Sequence, residues 1–179
     1  MLAYQTCQWW NAVFVQFTRF LDVLEKNHGG TPWEPGDENS MILAERFFLI
    51  MAIHHAIEDL ETLDHDLQQK GDASLHSVIQ EIEKAAPLED IKNLRNMNEH
   101  YLDYLMNEGH KQNQFFTKDE KNRINIFTSA AGTYINGDLN EFKLWKLSLN
   151  ALLFTMKKQL PIVQEKTRAI YYEAYAAIQ

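Results

Sequence analysis

Two groups of side chains in this sequence could do chemistry. The first is Arg95-Asn96 followed by Glu99-His100. Imidazole exchanges protons near neutral pH. Guanidinium stays protonated and grips two oxygens of an anion at once. The pair therefore suits proton transfer beside a developing oxyanion. Spacing sets a condition on this. Five residues of continuous α-helix advance about 500°, which leaves Arg95 and His100 about 140° apart. To serve one reacting atom, either Arg95 must lie near the first turn of a late-starting helix, or the two must cooperate across two chains. Glu99 stands four residues after Arg95 and can pair with it on a helix. An exposed pair of that kind contributes only about 0–1 kcal/mol.

The second group is His54, Glu58, Glu61 and His65, spaced 4, 3 and 4 along one helical face. Imidazole and carboxylate on one face could hold a divalent metal. Metal sites built in bundle cores use Glu-x-x-His, and here Thr62 stands three before His65, so the pattern is incomplete. His54 also falls on an apolar stripe, where an imidazole serves as a hydrogen-bonded core residue. The spacing favours a core histidine beside solvated carboxylates over a full ligand set.

The segment from Asp90 to Gly109 resembles the R-x4-H signature of the HEPN superfamily, small all-helical bundles common among bacterial toxins, antiviral effectors and RNA-processing enzymes. Arg95 and His100 supply the signature, and Asn96 matches the polar residue usual after the arginine. The segment also falls at the third main helix, as it does in that family. Two positions after the histidine, where the family's nuclease toxins often carry tyrosine, this chain has Leu102, with Tyr101 and Tyr104 on either side. The resemblance implies a metal-independent endoribonuclease without a cofactor. His100 would do the acid/base work, Arg95 would hold the phosphate, Asn96 would orient it, and Glu99, Tyr101 and Tyr104 would support them. It also implies a homodimer with two motifs facing one cleft, an RNA substrate and, for a toxin, an antitoxin protein partner. The alternative is a non-catalytic nucleotide- or protein-binding bundle in which the motif is structural.

The elements that must position these groups are helical. From Leu2 to about Asn27, apolar residues recur at Leu2, Trp9, Val13, Phe17, Phe20 and Leu24, and Asn27-His28-Gly29-Gly30 stops the run. Residues 31–39 hold two of the four prolines and read as a connection. Asn39 or Ser40 can cap the next helix, which carries Leu43, Phe47, Ile50, His54, Ile57, Leu60, Asp64 and Leu67 on one face and ends before Gly71. A short helix near Leu75–Ala85 stops at Pro87. The third long helix runs from about Leu88 to Glu108. Residues 123–136 lean toward a small β-hairpin. The last helix begins near Leu139 or Asn140 and buries Leu144, Trp145, Leu149, Leu152, Met156 and Leu160. Pro161 is expected to kink or break it. The expected fold is all-α: a four-helix up-and-down, HEPN-like bundle with a short extra helix and that hairpin, as one domain over residues 1–179.

Composition narrows the classes. Apolar residues make up 45% of the 179 and charged residues 23%, as in ordinary globular proteins. The single cysteine, Cys7, excludes an internal disulfide framework and a cysteine-based zinc site. No Gly-rich phosphate loop, Ser–His–Asp order or zinc-finger spacing occurs. The net charge of −8 disfavours a sequence-blind nucleic-acid binder. The charge is uneven, at −12 over residues 1–110 and +4 over 111–179. The apolar N-terminal stretch has no preceding Lys or Arg and is interrupted by Gln5, Gln8, Asn11 and Gln16. It reads as neither signal peptide nor membrane span, and the expected location is cytoplasmic. Trp9-Trp10 could form a dimer surface.

Overall fold

The computed structural model describes residues 1–26, 38–100, 117–118, 124–125, 143–144 and 147–177. These residues are mostly helical: α1 (Leu2–Lys26), α2 (Glu38–Gln69), α3 (His76–Ala85), α4 (Leu88–Glu99) and α5 (Leu149–Ala176). Two antiparallel ladders of two residues per strand accompany them. β1 (Thr117–Lys118) pairs with β2 (Ile124–Asn125), and β3 (Lys143–Leu144) with β4 (Leu147–Ser148). The expected hairpin over 123–136 is thus met only at Ile124–Asn125, whose partner is the earlier segment Thr117–Lys118. The remainder of 123–136 lies outside the described residues. Among the described residues no helix is long and apolar enough to cross a membrane.

The helix α2 is the spine of the site, and its apolar period works as its spacing predicts. Ile50, His54, Ile57, Leu60, Asp64 and Leu67 are all buried. Its C-terminus closes in a Schellman turn, with Asp72 N–H donating to Leu67 C=O and Gly71 N–H to Gln68 C=O, both at 2.9 Å. Gly71 takes φ +81°, a conformation that a side chain would strain. At the other end α2 begins at Glu38, so Asn39 and Ser40 lie inside it.

The helix α1 runs antiparallel to α2, with Arg19 on Glu45 at 2.7 Å and the Trp9 ring 4.8 Å from that of His55. It is also antiparallel to α5, since Trp10 meets Met156 while Tyr4 meets Tyr171. The buried stripe of α1 passes through Ala3, Thr6, Trp10, Val13, Phe20 and Val23. Trp10, not Trp9, is therefore the core tryptophan, and its indole N–H donates to the Met156 carbonyl at 3.2 Å. The helices α1 and α3 each touch both α2 and α5, α4 packs on α2, and all five contribute to one core that includes Trp10, Leu60, Ile82, Leu94 and Met156.

Two boundaries differ from the spacing-based expectation. The last helix begins at Leu149, where the Ser148 hydroxyl accepts from Ala151 N–H. Leu144 accordingly belongs to β3, and Trp145 lies outside the described residues. Pro161 does not end the helix, which continues to Ala176. Pro161 and Lys157 are both exposed. Water can therefore serve the Lys157 carbonyl that the proline leaves without its N–H partner.

Candidate functional site

The helix α4 starts at Leu88, after Pro87 has fixed the turn from α3. The Glu83 carboxylate accepts from Leu88 N–H at 2.9 Å and takes the place of a side-chain cap from Pro87. Glu89 and Asp90 in the first turn suit the positive end of the helix dipole. Ile91 and Leu94 are the buried residues that hold α4 on α2. Lys92 Nζ lies 3.3 Å from Glu61 Oε2, while His54, earlier on α2, feels the charges of Arg95 and Glu99. The two helices are therefore antiparallel, and α4 carries the Arg95 motif onto the His54 region of α2.

Within the motif, Arg95 is held from two sides. Its Nη1 donates to Asn96 Oδ1 at 2.9 Å, and its Nη2 lies 2.8 Å from Glu99 Oε2. Its Nε is buried and has no hydrogen-bond partner among the described residues. The helix α4 ends at Glu99. His100 caps it with φ −107° and ψ 34°, its N–H donating to Asn96 C=O at 2.9 Å. The expected continuation of the third helix to Glu108 lies outside the described residues. The late-start condition is not met, because Arg95 lies about two turns into α4, and His100 N–H keeps the helical bond to Asn96 C=O before the chain departs from helical geometry. Tyr101 and Tyr104 lie outside the described residues.

The α2 side of the cluster is built from His54, His55 and Glu58. His54 Nε2 is 3.5 Å and His55 Nδ1 3.6 Å from Glu58 Oε2. His54 is only 7% exposed. Burial pushes its imidazole below the ordinary value; Glu58 and Glu99 oppose that shift, and Arg95 and His55 add to it. Burial also raises the neighbouring Asp59 carboxyl, against the opposing effect of His55.

The four residues of the spaced set are not brought together. Glu61 is engaged by Lys92, and the exposed His65 pairs its ring with Gln69 at 2.9 Å. Eleven residues at about 1.5 Å each put His65 about 16 Å along the axis from His54. A shared helical face is not a point of convergence. His55, which spacing alone does not single out, joins the cluster because adjacent side chains can reach one carboxylate three and four residues on. The signal for it was the His54-His55 doublet followed by Glu58.

Two other regions bear on function. Between α1 and α5 a groove of about 1070 Å³ is lined by Phe14, Val15, Phe17, Leu21, Phe154 and Leu160, with Lys157 at its edge. It is apolar and distant in the fold from the α2–α4 cluster. Of the two tryptophans proposed as a dimer surface, Trp10 is fully buried and only Trp9, 37% exposed, reaches solvent. No family model, no curated protein and no solved structure matches this chain.

Proposed function

We propose that the protein is a metal-independent endoribonuclease of HEPN type, with Arg95, Asn96 and His100 as its working residues. The observation that carries this reading is that His100 is exposed at the C-terminal end of α4, next in the chain to the turn that holds Arg95 and Asn96. The helical bond from His100 N–H to Asn96 C=O keeps the histidine about 140° around the helix from Arg95, so the two serve one phosphate across two chains. His100 is exposed, and Asn96 and Arg95 sit one turn before it. In the reaction, a base takes the proton of a 2′-hydroxyl, whose oxygen attacks the adjacent phosphorus. The 5′-oxygen leaves with a proton from an acid, giving a 2′,3′-cyclic phosphate and a 5′-hydroxyl. His100 serves the proton transfers, and Arg95 the charge on the phosphorane oxygens. The same reading entails a homodimer whose paired motifs share a cleft and, for a toxin, an antitoxin partner.

A second reading is favoured by one contact. Glu99 holds Arg95 at 2.8 Å, with the two side chains only 25% and 31% exposed. An arginine so engaged has less to offer a phosphate, which suits a non-catalytic binding bundle. Cleavage of mixed RNA by wild type and His100→Ala, in EDTA, separates the two. The ribonuclease reading expects cyclic phosphate ends from wild type and a loss of about 10²–10⁴-fold on removing the acid/base group. Equal activity, or none, from both proteins rejects it.

A further inference from the structure

The cluster of His54, His55 and Glu58 has a second use that the ribonuclease chemistry does not call on. Among the described residues it is the group of metal-capable side chains whose donor atoms converge, all within 4.8 Å of one another. Two donors about 2.1 Å from one tetrahedral ion lie about 3.4 Å apart. The two nitrogen-to-carboxylate separations here are 3.5 and 3.6 Å. We propose that His54 Nε2, His55 Nδ1 and Glu58 Oε2 bind a divalent transition ion of the zinc class, leaving a fourth position open to solvent.

The surroundings support that assignment. Two imidazoles and one carboxylate form a donor set that suits zinc, whereas calcium and magnesium prefer oxygen alone. The site is graded in exposure. His54 is buried against the bundle, His55 is half-buried beneath the Trp9 ring, and Glu58, at 54% side-chain exposure, opens outward. Three protein ligands with one open side is the pattern of an exchangeable site rather than a closed structural one. The local charge also fits. Glu58, Asp59 and Glu99 act on the two imidazoles against the single Arg95 guanidinium, which Glu99 already neutralises at 2.8 Å. The two histidines and the glutamate lie on one helix, so the donors are held at fixed rise without a loop having to order.

The test uses the full chain, freed of any affinity tag and stripped with EDTA, titrated with zinc against a chromophoric chelator. Expected is one zinc per chain. His55→Ala and Glu58→Gln should each weaken affinity about 10-fold or more, while His65→Ala leaves it unchanged. Cobalt loaded in place of zinc should show the intense visible bands of a tetrahedral site, lost in the same two variants. His55 and Glu58 are the chosen positions because both are partly exposed; unchanged far-UV dichroism of the metal-free variants establishes that they fold. Absence of stoichiometric zinc binding overturns the proposal, as does binding that survives both substitutions. The readout needs no RNA, so it stands or falls apart from the ribonuclease assay.

Discussion

The helix α2 carries two histidine–carboxylate clusters, and they are built inside out from one another. Near its middle the imidazole is buried and the carboxylate exposed: His54 side chain at 9%, Glu58 at 54%. One turn from its end the carboxylate is buried and the imidazole exposed: Asp64 at 5%, His76 of α3 at 49%. A buried imidazole can stay neutral, so it keeps a lone pair to offer. A buried carboxylate that stays charged must be satisfied in place. Asp64 takes that at Oδ2, from Gln68 Nε2 at 2.6 Å and His76 Nδ1 at 3.3 Å, while its buried Oδ1 has no hydrogen-bond partner among the described residues. The same residue types thus make a candidate ligand site in one place and a clasp between α2 and α3 in the other. Burial decides which, through the group it forbids from being charged alone.

Four measurements bear on that contrast. The largest expected effect is metal-linked. Zinc at about 100 times its Kd should stabilise the wild type by about 2.7 kcal/mol, read as a rise in Tm. At the same zinc concentration that rise should fall to the equivalent of about 1.4 kcal/mol or less in His55→Ala and persist in full in His76→Ala. A rise lost only in His76→Ala would reverse the roles of the two clusters.

Next is the clasp. Replacing both Gln68 and His76 with alanine leaves Asp64 buried without those two partners, at a cost of about 1–3 kcal/mol, measurable by urea unfolding. His55→Ala, whose partner Glu58 is solvated, should cost less than the double variant in the absence of metal. Equal losses would mean that burial does not distinguish the sites.

The third effect is in pH. Burial places the folded pKa of His54 below its unfolded value of 6.5, with Glu58 and Glu99 opposing and Arg95 and His55 adding to the shift. The unfolded chain therefore takes up that proton first. Stability is complete above pH 6.5 and falls as pH drops below it. The slope should flatten in metal-free His54→Gln if that variant keeps its far-UV dichroism. An unchanged slope would show that His54 titrates alike in both states.

The smallest effect is at Asp72, which ties the α2–α3 turn to Lys166 of α5. The Lys166 side-chain hydrogen bond, followed by those of Ser74, lowers its carboxyl from 3.8 to about 2. A lowered carboxylate contributes stability above its unfolded pKa, and the contribution fades as pH falls from 3.8 toward 2. Asp72→Asn should remove that fraction of the acid transition and leave the zinc response untouched.

Much of the scaffold was legible before the structure. The period of α2, the stop at Gly71 and the short helix ended by Pro87 all rest on local rules that neighbours do not change. Leu149, Leu152 and Met156 were also legible as the inward face of the last helix, and all three are buried. The misreadings share a cause. Trp9 and Trp10 are adjacent, and only the position of α5 makes Trp10 the buried one, through the Met156 carbonyl. Asn39 and Ser40 are good capping residues, yet α2 starts before them. The set His54, Glu58, Glu61 and His65 satisfied angular spacing, but axial rise spread it beyond the reach of one ion.

What the sequence determined by itself is the helical period, several of the stops, and the kinds of chemistry that Arg95, His100, His54 and Glu58 can perform, because these follow from covalent geometry and functional groups. The tertiary structure decided which of those groups meet. Antiparallel packing of α4 on α2 lays Arg95 and Glu99 beside His54 and buries its imidazole, and it engages Glu61 with Lys92. The end of α4 at Glu99 leaves His100 as its exposed cap, still bonded to Asn96 C=O. A side chain's desolvation and its neighbours' charges come from segments distant in sequence, and no local pattern encodes them.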